Sequence, residues 1–188
     1  YQHQDAWTWE HMALTRLRPV TGDEALCYRI MKVACEAIVA RAGKDGEAIS
    51  QAVRDMRQRL YREKPGTGLW DMKTAEGGLV DAEFIIQRDM LLVGKPEAIR
   101  SNTREAIAHS SLSDDERTFL EEGVTFLQSL QQVQRLALGS ERPDGNLPEG
   151  LKDRLCRSVN VDGFEVLETE ISAVKSRVHA LAVKKLQL

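Results

Sequence analysis

The densest group of side chains able to do chemistry surrounds a Gly-Gly pair in residues 71–83. Its charged members include Asp71, Lys73, Asp81 and Glu83. On a helix that starts after the glycines, the last two carboxylates point about 200° apart, so they would not clamp one metal ion. Asp81 could instead stabilise the positive end of that helix, and Lys73 could form a buried ion pair with Glu83. Local chemistry favours these structural roles over a binding role.

Backbone N–H groups offer a second kind of chemistry, anion binding. Gly77 and Gly78 precede a predicted helix start, where free N–H groups and the helix dipole can hold a phosphate. No P-loop or G-x-G-x-x-G motif accompanies them, so a tight turn into the helix is the preferred explanation. Arg16 and Arg18 could bind an anion as well, or simply complement the negative end of the first helix.

Metal and nucleophile chemistry have little support in the sequence. The four histidines and three cysteines are scattered without the spacing of zinc ligands, so we expect no metal site. No G-x-S-x-G segment marks a serine nucleophile. The three cysteines fit small buried side chains in a reduced compartment better than a disulfide framework.

Composition limits the partners. Lys and Arg number 26 against 29 Asp and Glu, a formal net charge of −3, so no large positive field would attract nucleic acid or anionic lipid. No apolar run approaches the roughly 18 residues of a spanning helix, and the first residues lack a signal-peptide pattern. We therefore expect no nucleic acid or membrane partner and a cytoplasmic location. Because the chain does not begin with Met, we expect a fragment of a longer polypeptide.

The elements that position these residues are helices. Apolar residues recur at helical spacing almost everywhere, and strand signals are nearly absent. Predicted helices cover approximately residues 5–18, 24–42, 46–63, 79–93, 97–109, 114–138, 148–158 and the segment from 164 onward. Residues 64–78 form a long glycine-rich loop, of a length that is more often functional than incidental. The sequence predicts an all-α bundle of seven to eight helices in a single domain, 1–188.

Helical spacing also predicts which side chains are buried. The second helix should bury Leu26, Ile30, Val33 and Ala37, the third should bury Ile49, Val53, Met56 and Leu60, and the last should bury Phe164, Leu167, Ile171, Val174, Val178 and Leu181. Arg57 falls among the polar faces of the third helix. Trp7 and Trp9 are expected to be packing residues.

Two segments carry a resemblance to a known family. They are AWTWEHMALTRLRPVTGD, ending at Asp23, and WDMKTAEGGLVDAEFIIQ, from Trp70 to Gln87. Their order and spacing resemble the bacterial glutamine synthetase adenylyltransferase family, bifunctional enzymes that adenylylate and deadenylylate glutamine synthetase. The form D-x-K-x-x-x-G-G-[LI]-x-[DE]-x-E-F is specific when it follows the tryptophan-rich opening at this distance. This chain departs from the usual pattern at Pro19 and Ala82, and neither position is charged.

The resemblance implies the helical domain of the C-terminal, adenylylating half, a nucleotidyltransferase-associated domain similar to that of the PII uridylyltransferases. A nucleotidyltransferase domain upstream of it, absent here, would hold Mg²⁺ and ATP and transfer AMP to a tyrosine of glutamine synthetase. The fragment should then contain no catalytic residue and bind no cofactor alone. Expected partners are glutamine synthetase, the PII signalling protein and that upstream domain.

The resemblance further places the loop and the following helix against the catalytic cleft. Lys73, Arg16 and Arg18 would contact nucleotide phosphates together with Gly77 and Gly78. Asp71, Asp81 and Glu83 would lie near the cleft as a structural motif. One alternative stays open, in which the domain is a regulatory interaction module that binds PII or glutamine synthetase without touching nucleotide.

Overall fold

The chain folds as a bundle of helices. The structure, a computed structural model, describes residues 6–42, 45–139 and 147–188. Helices α1 to α8 are Thr8–Leu14, Glu24–Ala42, Gly46–Glu63, Leu79–Val93, Thr103–Ala108, Asp114–Leu138, Glu149–Ser158 and Phe164–Leu186, with a 3₁₀ turn at Pro96–Ala98 before α5. These described residues include no strand, and the predicted all-α class is confirmed.

Helix α4 lies at the centre of the bundle. It packs against α1, α2, α3, α5, α6 and α8, and ten of its 15 residues are buried. The predicted apolar stripes of α3 and α8 contribute Ile49, Val53, Leu167 and Ile171 to the same core. Because α4 is buried on nearly every side, any charged group on it must find its partner inside the protein.

Local signals set most helix ends as predicted. The Ser113 side chain accepts a hydrogen bond from the Glu116 N–H, and the Glu116 carboxylate accepts one from the Ser113 N–H, which forms a capping box of the S-x-x-E type at the start of α6. Gly139 ends that helix, and Pro96 opens the 3₁₀ turn. The sequence also predicts Gly43 as the residue that ends α2 and a polar loop at residues 140–146, and both lie outside the described residues.

Two predicted helices are shorter in the structure. Instead of one helix over residues 97–109, the 3₁₀ turn is followed by α5, because the Asn102 side chain caps Arg104 N–H and restarts the helix there. Helix α1 ends at Leu14, where turn-like hydrogen bonds from Arg16 to Ala13 and from Leu17 to Leu14 replace the α-helical pattern ahead of Pro19.

The predicted packing of α1 and α2 is wrong in part. Trp7 and Trp9 are 70% and 52% exposed, because α1 turns His11 and Met12 toward the core instead. Helix α2 buries Ala34, Ala37 and Ile38, whereas the predicted Leu26, Ile30 and Val33 are about half exposed (50%, 49% and 57%).

In the described part of the chain, no helix is long and apolar enough to cross a membrane.

Candidate functional site

The glycine-rich loop, residues 64–78, is folded tightly around the Asp71 carboxylate. That carboxylate accepts hydrogen bonds from the N–H groups of Thr67, Lys73 and Thr74 and from the Thr74 hydroxyl, the last at 2.6 Å. Burial alone would raise the pKa of Asp71, but these hydrogen bonds outweigh it and lower the pKa. The ionised Asp71 carboxylate therefore holds together the parts of the loop that precede and follow Trp70.

A buried lysine from α8 fixes the same loop from the other side. The Lys175 ammonium donates to the carbonyl oxygens of Gly68, Leu69 and Asp71 at 3.3, 3.2 and 3.2 Å. Burial lowers the pKa of Lys175, and the charge of Asp71 partly opposes that shift. No motif marks this role of Lys175, although the residue lies four residues after Ile171 and three before Val178, on the buried stripe of α8. A lysine at such a position signals a buried cation that needs acceptors.

Asp81 joins the loop to α3. Its carboxylate, which is fully buried, accepts from Arg57 Nε and from the Gly77 N–H at 2.6 Å each. The Tyr61 hydroxyl lies 2.9 Å from both carboxylate oxygens, and burial together with the Asp81 charge raises the pKa of that hydroxyl. His179 Nδ1 lies 3.9 Å from Oδ2 on the remaining side. Asp81 is thus the centre of a buried polar cluster rather than an exposed helix-end charge.

The position of Arg57 corrects the sequence analysis. Its side chain is 1% exposed and its guanidinium lies over the Tyr61 ring, 3.6 Å from the centroid. The apolar spacing of α3 places Arg57 outside the predicted buried stripe of Ile49, Val53, Met56 and Leu60. The Asp81 charge draws this face of α3 against α4, and the Tyr61 ring covers the guanidinium.

Gly77 and Gly78 form a tight turn into α4. Gly77 has a φ of +71°, and a Cβ there would lie 1.8 Å from the Lys175 carbonyl oxygen. The N–H groups of Gly77 and Gly78 donate to the Asp81 carboxylate and the Ala75 carbonyl. Both donors are thus used within the fold, so the predicted phosphate contact through these two glycines would have to compete with these hydrogen bonds.

The exposed charges gather beside the first turns of α4. Glu83 pairs with Arg16 at 2.7 Å, not with Lys73, so the predicted Lys73–Glu83 pair is wrong. Lys73 is exposed, and its carbonyl accepts from the Val80 N–H, which holds it next to α4. Arg18 is exposed as well. We call Arg16, Lys73 and Glu83 the charged edge.

A cavity of about 480 Å³ opens between the loop, α3 and α8, with Tyr61, Lys175 and His179 in its wall. Among the described residues, no group of three or more His, Cys, Asp or Glu side chains could hold a metal ion. The Asp71 and Asp81 carboxylates are already surrounded by donors of the protein. These residues therefore do not fit a Mg²⁺ site.

Taken together, the described residues form a helical bundle that holds a surface loop in place with buried charges and carries the charged edge on its surface. A sequence model of the GlnD PII-uridylyltransferase family matches residues 41–185. The chain therefore belongs to this family.

Individual relatives confirm the resemblance seen in the sequence. They are named bifunctional glutamine synthetase adenylyltransferase/adenylyl-removing enzyme. The protein of Brucella suis biovar 1 is 37% identical over 179 residues, which cover 91% of this chain and 18% of the relative. The protein of Bradyrhizobium sp. strain ORS 278 is 32% identical over 184 residues, which cover 95% of this chain and 18% of the relative. The protein of Bradyrhizobium sp. strain BTAi1 is 31% identical over 193 residues, which cover 100% of this chain and 19% of the relative. The chain thus spans about a fifth of the length of these relatives.

Proposed function

We propose that this chain is the helical domain of a bacterial enzyme that transfers AMP from ATP to a tyrosine of glutamine synthetase. The observation that supports this most strongly is the alignment of 91% to 100% of the chain with bifunctional adenylyltransferases. In this proposal the chain forms one domain of the adenylylating half and acts in the cytoplasm. A nucleotidyltransferase domain elsewhere in the polypeptide holds ATP and Mg²⁺ and carries out the chemistry.

The role of this domain is to present fixed positive charge to the nucleotide. Lys73 has its N–H held by Asp71 and its carbonyl held by Val80, so its backbone is fixed while its side chain extends into solvent. Of the ion pairs among the described residues, none uses Lys73. A cation placed in advance on a rigid backbone can offset phosphate charge without being reorganised during the reaction.

The other predicted site residues divide into two groups. Arg18 is exposed and can reach a phosphate, whereas Arg16 would have to share its charge with Glu83. Asp71 and Asp81 hold the loop, and we assign them no contact with nucleotide. Gly77 and Gly78 serve by letting the loop turn closely enough to place Lys73 beside α4.

The test is the kinetics of glutamine synthetase adenylylation by the longer polypeptide that contains this chain. We expect Lys73→Ala to raise the KM for ATP about tenfold and Lys73→Arg to restore most of the loss, because charge rather than shape is needed. Lys95→Ala is the matched control, since Lys95 is also exposed and lies past the opposite end of α4, about 22 Å away.

The alternative function predicts a different result. If the domain is an interaction module for PII or glutamine synthetase, Lys73→Ala leaves the KM for ATP unchanged. In that case the response of adenylylation to PII, or the KM for glutamine synthetase, changes instead. Unchanged helicity by circular dichroism shows that either effect is local.

A further inference from the structure

Most of the large apolar side chains exposed among the described residues lie in or beside α1 and α2. Within the described part of the chain, ten large hydrophobic side chains are exposed, and seven of them lie between residues 7 and 33. Three of these, Leu26, Ile30 and Val33, line a groove of about 310 Å³ between α1 and α2, whose apolar wall also includes Leu14 and Leu17. We call this the α1–α2 groove. An apolar surface gathered in this way is typical of an interaction site.

The first half of α2 presents an apolar face toward the α1–α2 groove. Leu26, Ile30 and Val33 follow i, i+4, i+7 spacing, which forms one apolar stripe. None of the residues 24–33 is buried, and the three buried residues of α2 all lie later, from Ala34 to Ile38. Because helices in proteins gain most of their stability by packing an apolar face, half of this helix lacks its packing partner within the described residues.

Two comparisons indicate where the partner comes from. The groove residues precede residue 41, so they lie outside the segment 41–185 that matches the uridylyltransferase family model. The bifunctional relatives do align with the groove residues, since one such alignment covers 100% of this chain. This chain corresponds to 18% of such a relative, so more than four fifths of the relative's polypeptide is available to cover the groove. A partner in the same polypeptide is also present at high effective concentration.

The neighbourhood of the groove indicates which part of that polypeptide it is. Arg16, two residues after Leu14, forms the 2.7 Å ion pair with Glu83 on α4. The groove is therefore continuous with the charged edge, which the proposed function turns toward bound nucleotide. A domain that covers the groove would also bring its nucleotide to Lys73.

We propose that the α1–α2 groove is the docking surface for the nucleotidyltransferase domain of the same polypeptide, which inserts apolar side chains between α1 and α2. This inference rests on the proposed function, because it takes that domain as the occupant. It adds the surface that joins the two domains and the residues that would set their relative position.

Cross-linking in the longer polypeptide tests the docking directly. A photoreactive amino acid at position 30 should cross-link within one polypeptide to peptides of the nucleotidyltransferase domain. The same group at position 136 is the control, because Leu136 is 89% exposed on α6, away from the groove. A cross-link from position 30 to a second copy, to glutamine synthetase or to none of these partners overturns the proposal.

A paired substitution gives a second readout. Ile30→Glu with Val33→Glu should increase amide exchange over residues 24–33 of the longer polypeptide and lower adenylylation at least tenfold, because two charges would enter an apolar interface. Leu136→Glu should change neither. Both sites are about half exposed, so the domain itself should keep its helicity.

The two proposals fail in different ways. If the polypeptide does not adenylylate glutamine synthetase but position 30 cross-links to its nucleotidyltransferase domain, only the proposed substrate is wrong. If Lys73→Ala raises the KM for ATP while Ile30→Glu with Val33→Glu leaves exchange and activity unchanged, only the docking surface is wrong.

Discussion

Replacing Asp81 by Asn should destabilise the domain far more than removing one charge from a surface ion pair. The Asp81 and Arg57 side chains are 0% and 1% exposed, so the loss of one charge leaves the other buried without its counter-ion. Breaking a buried pair in this way costs about 3 to 5 kcal/mol. The Asn amide would also place its NH₂ group against either the Arg57 guanidinium or the Gly77 N–H, because each of these donors uses a different carboxylate oxygen.

The surface pair between Arg16 and Glu83 provides the comparison. Its side chains are 54% and 28% exposed, so Glu83→Gln should cost about 1 kcal/mol or less. Urea unfolding followed by circular dichroism measures both free energies of unfolding. For a chain of this size, Asp81→Asn should lower the melting temperature by roughly 6 to 20 °C. A loss from Asp81→Asn no larger than that from Glu83→Gln would refute the assignment of Asp81 as the centre of the buried cluster.

Two further predictions concern the loop and the termini of α6 and α8. Gly77→Ala should destabilise by more than the roughly 1 to 2 kcal/mol cost of a left-handed residue, because its Cβ would overlap the Lys175 carbonyl. Gly68→Ala, with the same φ of +71° and open space around it, should show the backbone cost alone, and equal losses in urea unfolding would contradict this. Hydrogen bonds from Lys185 and Lys184 lower the pKa of Glu116 to about 2 from an ordinary 4.5, so the stability it contributes is present above pH 4.5 and lost as the pH falls toward 2. Glu116→Gln should therefore flatten the change of unfolding free energy over this interval, and an unchanged slope would exclude the contribution.

The fold could be predicted well from sequence because its signals are local. The bounds of α2, α3 and α4 follow from apolar spacing and from the glycines and prolines between the helices, and the start of α6 follows from Ser113 and Glu116. Where the prediction failed, at residues 97–109, a side-chain cap at Asn102 outweighed continuous helical spacing. Such a cap is also local, and an Asn before a polar first turn could have indicated it.

The buried sides of the helices were harder to predict. Leu26, Ile30 and Val33 form a regular stripe that the described fold leaves exposed. Spacing shows that a helix has an apolar face, but it does not show whether the partner of that face lies in the same domain.

The sequence by itself determined the helices, the long loop, the motif residues and the family resemblance, because each of these depends on residues close together in the chain or on a pattern of residue types. Only the tertiary structure decided how the charges are paired. Asp81 pairs with Arg57, 24 residues away, Glu83 pairs with Arg16, 67 residues away, and Lys175 reaches loop carbonyls more than 100 residues away. A charged side chain on a given helix face can reach many partners. The packing of α3, α4 and α8 around the loop selects among them, because a charge buried by that packing must find a counter-ion or hydrogen-bond acceptors within the protein.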